Sequence, residues 1–204
     1  MPTHRHASKR GSSRSGRWTF FRQWLRNPLA MAAIYPSGAQ LARLMLSELP
    51  AGTRRVIELG GGTGVFTAAL QKHGIGDDDL MVVELNEELH QHLLRRFPHA
   101  HVACGDAREL AALAERCGFG AGGKADAIVS GLGLLSMNRS TQQAIVGAAF
   151  ECMPPGGRFI QFTYGPTCPV PREVLRELGL KAQRAGIALW NVPPATVYVF
   201  SRSG

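Results

Sequence analysis

The sequence predicts a single α/β domain, built on a mostly parallel sheet that helices cover on both faces. Three observations predict this fold class. Short apolar runs alternate with helix-length segments from residue 56 onwards. A glycine-rich turn follows the first apolar run, and two later strand-like runs are joined across Val192-Pro193-Pro194 as a hairpin. We therefore expect seven strands, of which the last two form a C-terminal antiparallel pair.

The predicted strands are short runs rich in aliphatic and β-branched residues. They lie at 56–59, 80–84, 101–103, 127–131, 158–163, 187–191 and 196–201. The helices between them follow apolar positions that recur every three to four residues. They lie at about 65–73, 87–96, 107–115, 139–153 and 171–178, with breaks such as Phe97-Pro98 and Pro154-Pro155 after them.

The region before the first strand has a different composition. Residues 1–16 are rich in Ser, Gly, Arg and His, which predicts a basic disordered tail. Residues 17–27 predict a short amphipathic helix whose apolar face carries Trp18, Phe21 and Leu25. This face fits either a membrane interface or a docking position on the protein's own core.

A second helix is predicted to cap the domain. Ser37 is its expected N-cap, because a Ser side chain can accept a hydrogen bond from the first turn, and the helix runs to about Glu48. Residues 17–50 thus form an N-terminal pair of helices. Residues 51–204 form the ligand-binding domain.

Positive charge is concentrated at the N-terminus. Residues 1–27 contain seven of the 23 Lys and Arg residues and none of the 15 acidic residues. The rest of the chain is therefore nearly neutral. A basic arm of this kind favours a polyanionic partner, which is either nucleic acid or an anionic membrane surface.

Other patterns exclude several classes of protein. No uncharged apolar run reaches about 18 residues, so we expect no membrane-spanning helix, and no apolar segment typical of a signal peptide follows the early basic residues. The four cysteines form no Cys-x-x-Cys pair and no metal-binding spacing, which predicts reduced thiols in a cytoplasmic protein without a metal site. They are Cys104, Cys117, Cys152 and Cys168.

The glycine turn predicts a binding site for an adenosine-containing ligand. Glycine backbone lets a ligand approach closely, and Glu84, at the end of the second strand, can accept hydrogen bonds from ribose hydroxyls. A dinucleotide fingerprint would need a third glycine where Val65 or Thr67 stands. A phosphate-binding P-loop would need a Gly-Lys-Ser/Thr run, which is absent.

The spacing Glu58-x-Gly60-x-Gly62-x-Gly64 resembles the first motif of the class I methyltransferases that use S-adenosylmethionine (SAM). The resemblance implies their Rossmann-like sheet, SAM as cofactor, S-adenosylhomocysteine as product and no metal. It implies that Glu58 organises the methionine end of the cofactor, Glu84 the ribose and Asp106 the adenine amino group. The implied cofactor-binding residues are Glu58, Gly60, Gly62, Thr63, Gly64, Glu84, Leu85, Asp106, Ala107, Ser130 and Gly131.

Further segments resemble the soluble bacterial phosphatidylethanolamine N-methyltransferases over roughly residues 20–202. These segments are Pro36-Ser37, Glu58 to Thr67, Ser130-Gly131-Leu132 with Leu134 to Met137, and Phe162 to Pro166. The chain departs from the pattern at Gly133, where proline is expected. The resemblance implies SAM-dependent methylation of phosphatidylethanolamine and its mono- and dimethyl forms towards phosphatidylcholine, by a peripheral enzyme on the cytoplasmic face of the membrane.

Two alternatives remain at this stage: a nucleic-acid N-methyltransferase of the rRNA-adenine type, and a SAM-binding protein without catalytic activity. The Ser130-Gly131-Leu132-Gly133 segment offers neither the amide nor the aromatic ring that would hold a planar base. Aromatic rings beside arginines in residues 17–27 are typical of a helix at an anionic membrane surface. The sequence therefore favours a phospholipid substrate over nucleic acid.

Three hydroxyl-bearing residues are candidates for the catalytic site. Tyr35, Ser130 and Tyr164 come from segments that are expected to border the substrate. Their hydroxyls could orient the amine or bind lipid phosphate, and the tyrosine rings could hold a methylated ammonium by cation–π contact. The alternative for both tyrosines is a buried structural role.

Overall fold

In the computed structural model, the described residues 38–189 and 193–203 form one seven-stranded sheet. Its strands are β1 (Val56–Leu59), β2 (Leu80–Glu84), β3 (His101–Cys104), β4 (Ala127–Ser130), β5 (Arg158–Thr163), β6 (Leu180–Ala188) and β7 (Ala195–Arg202). The strand order is β3-β2-β1-β4-β5-β7-β6. The pairs among β1 to β5 are parallel, whereas β7 is antiparallel to β5 and β6. The predicted fold class is confirmed.

Six α-helices accompany the sheet in the described residues. They are α1 (Gly38–Leu46), α2 (Val65–His73), α3 (Glu87–Arg96), α4 (Leu110–Arg116), α5 (Arg139–Glu151) and α6 (Arg172–Glu177). Local sequence sets several of their ends. The Asn86 side chain accepts a hydrogen bond from the Leu89 N–H and caps α3. Gly74, with a φ of 106°, ends α2 in the left-handed conformation.

The sheet has an apolar layer on each face. All four residues of β1 are buried, because helices cover both sides of this strand. Ile57 and Leu59 pack in the layer that includes α4, α5 and α6. Val56 packs in the other layer, with Leu41 of α1 and Leu70 of α2.

The largest correction to the predicted elements concerns the sixth strand. It was expected at 187–191 but begins at Leu180 and ends at Ala188. Among the described residues this strand lies at the edge of the sheet and pairs only with β7. Most of its side chains before Ile187, such as Lys181 and Arg184, are exposed. An exposed edge strand carries little of the apolar signal on which the prediction depended.

Smaller corrections concern element ends. The helical stretch predicted from 107 to 115 is divided into a 3₁₀ turn, Ala107–Glu109, and α4. The predicted α5 ends at Glu151 rather than at 153, and α1 ends at Leu46 rather than near Glu48. The predicted tail (1–16), the amphipathic helix (17–27), Ser37 and Tyr35 lie outside the described residues.

The topology creates a crevice at the carboxyl ends of the central strands. The chain passes from β1 outward to β2 and β3, then returns to β4 on the other side of β1. Ligands bind at such reversals of strand order in open parallel sheets. The register places Leu59, the last residue of β1, opposite both Val83 and Ser130. The motif residues that follow these strands therefore meet at one edge.

Candidate active site

The glycine turn after β1 is fastened to β2 by main-chain hydrogen bonds. The N–H groups of Gly60 and Gly61 donate to the Val83 carbonyl at 2.8 and 3.2 Å. Gly62 has a φ of 55°, in the left-handed region that favours glycine. A Cβ added to Gly61 would lie 2.4 Å from Val82 Cγ1, so this position has no room for a side chain. The turn is thus held against β2, and its glycines present main-chain atoms without side chains.

Glu84 is fixed by two main-chain donors. The Gly62 N–H donates to Oε2 and the Asn86 N–H donates to Oε1, both at 2.9 Å. The carboxylate oxygens retain further acceptor capacity. Leu85, the next residue, is 69% exposed. An oriented carboxylate beside an open apolar side chain suits a ribose with an adjoining ring.

Glu58 is fully buried beneath the turn. Its Oε2 accepts a hydrogen bond of 2.6 Å from the Thr67 hydroxyl, and its Oε1 has no partner among the described residues. Burial raises the pKa of Glu58 to about 8, the Thr67 hydrogen bond opposes the rise, and the nearby Glu84 adds to it. A cation brought close to this carboxyl would favour its ionised form. The unpartnered oxygen therefore suits a positively charged ligand group.

The turn that contains Asp106 lies next to β2. The Gly105 N–H donates to the Glu84 carbonyl at 3.1 Å. Asp106 accepts a hydrogen bond from the Arg108 N–H and pairs with its guanidinium at 2.6 Å. The hydrogen bonds from Arg108 lower the pKa of Asp106. Ala107 is buried behind the turn. The expected adenine-binding carboxylate is therefore ionised and partly engaged by a neighbour.

The loop after β4 packs against the glycine turn. The Gly131 N–H donates to the Leu59 carbonyl at 2.8 Å, and a Cβ added to Gly131 would lie 3.1 Å from the Gly60 carbonyl oxygen. Ser130 is fully buried, and its Oγ accepts a hydrogen bond from the Leu132 N–H at 3.3 Å. In this conformation the Ser130 hydroxyl faces its own loop.

Tyr164 lies just beyond the end of β5, at the same edge. Its half-buried ring meets Phe162 edge-on with centroids 5.4 Å apart, and Phe162 lies 5.8 Å from Phe66 of α2. Beside it, the buried Gln161 donates through Nε2 to the carbonyls of Leu132, at 2.8 Å, and Phe162, at 2.6 Å. An amide thus ties the β4 loop to β5.

The structure brings most of the predicted cofactor residues together. Gly60, Gly62, Glu84 and Gly131 belong to one connected set of hydrogen bonds and close contacts. Thr63 contributes its carbonyl to the Arg96 guanidinium at 2.5 Å, and the Gly64 N–H closes the turn onto the Gly61 carbonyl. Tyr35 is outside the described residues.

Four residues of the site were not predicted from the sequence: Gly61, Thr67, Asn86 and Gln161. Only Gln161 left a signal, as a lone amide within the apolar run 159–162, where a buried polar group needs partners. The role of Gly61 depends on contact with β2, and that of Thr67 on the packing of α2 over β1, whereas Asn86 contacts Glu84 two residues away.

The described part of the chain contains neither a metal-binding cluster nor a helix able to span a membrane. Residues 38–189 and 193–203 contain no cluster of three His, Cys, Asp or Glu side chains arranged to hold a metal ion. Over the same ranges, no helix combines the length and apolar character needed to cross a bilayer.

The sheet order and the site at its carboxyl edge define a class I methyltransferase fold. The family described as "methyltransferase domain" matches residues 20–198, and the chain belongs to this family. A curated relative, the ornithine lipid N-methyltransferase of Singulisphaera acidiphila, is 28% identical over 151 residues, or 72% of this chain and 77% of the relative.

Solved structures support the same fold. A TehB-like SAM-dependent methyltransferase from Corynebacterium glutamicum aligns with a TM-score of 0.59 and 19% identity, over 93% of this chain and 100% of that one. The glycopeptide N-methyltransferase MtfA, complexed with SAM, aligns with a TM-score of 0.61 and 13% identity, over 83% of this chain and 96% of that one. At these identities the likeness concerns the fold alone.

Proposed function

We propose that this protein transfers methyl groups from SAM to the headgroup amine of phosphatidylethanolamine and its mono- and dimethyl forms. The observation that carries the lipid part of the proposal is the similarity to a lipid N-methyltransferase over 72% of the chain. The family supports methyl transfer. A second candidate acceptor is the amine of an ornithine lipid, which the name of that relative favours.

The residues at the crevice fit SAM. Glu84, held by the N–H groups of Gly62 and Asn86, has acceptor capacity for the ribose hydroxyls. The unpartnered Oε1 of Glu58 suits the cationic methionine end. Leu85 offers an open apolar side chain for the adenine ring, and Asp106 an acceptor for its amino group. When bound, SAM supplies an electrophilic methyl group on a positive sulfur.

The protein's own contribution to transfer is alignment. The amine has a pKa of about 10 in water and must lose its proton before its lone pair attacks the methyl carbon. Desolvation beside a positive charge lowers that pKa, so a water molecule or a hydroxyl relay can accept the proton. In the displacement the new nitrogen–carbon bond would form as the carbon–sulfur bond breaks, and S-adenosylhomocysteine would leave with that electron pair on sulfur. We assign the orientation of the amine to Tyr35, Ser130 and Tyr164.

The loop after β4 supports a lipid amine over a nucleic-acid base. Residues 130–133 provide a buried hydroxyl, two glycines and a leucine, and no side-chain amide or ring on which a base could stack. A small flexible ammonium group needs neither a stacking ring nor a side-chain amide to bind at such a loop. We further propose that the enzyme works peripherally on the cytoplasmic face, where residues 1–27 attract anionic lipid, each basic residue contributing about 1 kcal/mol.

An assay with methyl-labelled SAM tests the proposal. The acceptors are vesicles that contain phosphatidylethanolamine, vesicles that contain ornithine lipid, and RNA. We expect label in phosphatidylethanolamine. Label in ornithine lipid alone would show that ornithine lipid, and not phosphatidylethanolamine, is the acceptor. Label in RNA would contradict the proposed lipid function. SAM binding without transfer to any acceptor would indicate a non-catalytic SAM-binding protein.

The basic arm is tested separately. Deleting residues 1–27 removes seven positive charges and leaves every described residue in the chain. We expect sedimentation with anionic vesicles to be lost while calorimetric SAM binding survives. Undiminished sedimentation would contradict the proposed role of the arm.

A further inference from the structure

Large apolar side chains are exposed at only a few positions of the described residues, and most of these share one edge of the sheet. The set comprises Val65, Leu85, Leu94, Leu135, Ile187 and Leu189, each at least 37% exposed. Leu94 alone belongs elsewhere, in the last turn of α3, which runs away from the carboxyl edge. The other five are concentrated where the site lies.

The topology explains this concentration. Val65 is the first residue of α2, directly after the glycine turn, and Leu135 lies in the loop after β4. Ile187 pairs with Thr196, which also pairs with Thr163 at the end of β5, so Ile187 is level with the carboxyl end of β5. Leu189 follows one residue after β6 and is 68% exposed. We call Val65, Leu135, Ile187 and Leu189 the apolar rim.

The charges near the rim suit an anionic surface. The chain has no acidic residue after Glu177, and Arg184 is exposed on β6, three residues before Ile187. At the other end of the strands, three consecutive acidic residues, Asp77–Asp79, precede β2. An anionic bilayer would attract the β6 end of the site and repel this acidic turn.

The described part of the chain begins beside the rim. Gly38 begins α1, and a Cβ added to Gly38 would lie 3.3 Å from Val65 Cγ1. Residues 1–27, with seven basic side chains and no acid, end eleven positions before this residue in the sequence. Isolated exposed leucines are ordinary on a protein surface, but apolar residues grouped around a site and next to a basic segment are typical of membrane contact.

We infer that the apolar rim is a second contact with the lipid bilayer, in addition to the basic arm. This inference rests on the proposed function and adds an orientation to it: the carboxyl edge of the sheet faces the membrane. A lipid amine can then reach the crevice while its acyl chains stay in the bilayer. Because the acidic turn lies at the opposite end of the strands, it faces the cytoplasm.

The test uses the full chain with Ile187→Glu and Leu189→Glu combined, and vesicles of phosphatidylethanolamine and phosphatidylglycerol. Removing two apolar contacts and adding two negative charges should weaken vesicle partitioning at least tenfold. Leu94→Glu is the matched control, because it places a carboxylate at an exposed leucine away from the edge. We expect the control to sediment like the parent protein.

Two readouts separate this inference from other failures. Calorimetric SAM binding reports whether the double variant is folded. If the double variant does not bind SAM, the single variant Leu189→Ser, at a position outside the strands, is used in its place. Dihexanoyl-phosphatidylethanolamine below its micellar concentration tests methyl transfer without a membrane. We expect all variants to methylate it like the parent. If the parent protein does not methylate this soluble lipid, the proposed function is contradicted. The sedimentation result alone then tests whether the rim contacts the bilayer.

The inference is supported if the double variant loses vesicle binding while SAM binding and turnover of the soluble lipid persist. Unchanged vesicle binding would overturn it, as would an equal loss in Leu94→Glu. The inference would also be overturned if the parent protein is a dimer, the double variant is a monomer, and both bind vesicles equally. The rim would then be the contact with a second copy of the chain.

Discussion

The two halves of the carboxyl edge are built differently. In the half formed by β1 and β2, the turns are fixed by main-chain hydrogen bonds, and both glutamates of the site are buried. In the half formed by β4 to β7, the edge carries exposed apolar side chains and no acidic residue beyond Glu177. The first half is suited to one small polar ligand that must be held in a single position. The second half is suited to a large apolar partner that arrives from a surface.

This difference separates residues that the packing of the fold requires from exposed residues that can vary with the substrate. A Cβ at Gly60 or Gly61 would lie within 3.0 Å of a neighbouring side chain, which leaves little freedom in the first half. Exposed side chains such as Leu135 and Leu189 can change without disturbing the sheet. We therefore expect substitutions in the first half to change cofactor affinity and stability, and substitutions in the second to change the response to lipid.

The largest effect is expected from Glu84→Gln. The substitution removes the charge that strengthens hydrogen bonds to ribose hydroxyls, and hydrogen bonds to charged groups contribute about 1.5–3 kcal/mol each. We expect SAM affinity to fall about 100-fold or more in calorimetry. The control is Glu87→Gln, an exposed glutamate three residues further along, which should bind SAM like the parent. An equal loss in both variants, or none in Glu84→Gln, would contradict the assignment.

A smaller effect is expected from Gly61→Ala. The added methyl would lie 2.4 Å from Val82 and 2.8 Å from Leu93, so the turn or its neighbours must shift. Overpacking of this kind costs about 1–3 kcal/mol in the free energy of unfolding, measured by urea denaturation. Gly76→Ala is the control, because nothing lies within 4 Å of its Cβ position and its φ is −70°. If both variants unfold alike, the turn is less tightly packed than the contacts indicate.

The smallest effect, when it is counted per pH unit, is a pH dependence that comes from Glu58. Because burial raises its pKa from 4.5 to about 8, the folded protein holds a proton that the unfolded chain has lost between these values. The free energy of unfolding should therefore decrease as pH rises, by up to about 1.4 kcal/mol per pH unit from this group, and the decrease should stop above pH 8.

Urea denaturation of the ligand-free protein between pH 5.5 and 8 measures this slope. Glu58→Gln should flatten it, whereas the exposed Glu88→Gln should keep the parent's slope. Parallel curves for the parent and Glu58→Gln would mean that Glu58 is already ionised in the folded state.

Sequence patterns predicted the first half better than the second. The bounds of β1, α2, β2 and α3 were predicted as the structure has them, since apolar runs and turn residues mark their ends. The start of β6 was missed, because four consecutive residues near its start, Lys181 to Arg184, are exposed and carry little apolar signal. Glycine and carboxylate spacing predicted the Gly62 and Glu84 pairing in outline. The role of Gly61 depends on which strand lies beside the turn, and no local pattern encodes that.

The central claim is that the Glu84 carboxylate and the glycine turn hold an adenosyl ligand in the crevice. A crystal structure with S-adenosylhomocysteine tests it most directly. We predict that both ribose hydroxyls donate to Glu84, with the adenine beside Leu85 and the amino-acid end near Glu58. A ligand bound elsewhere on the protein, or a crevice left empty at saturating ligand, would contradict the account.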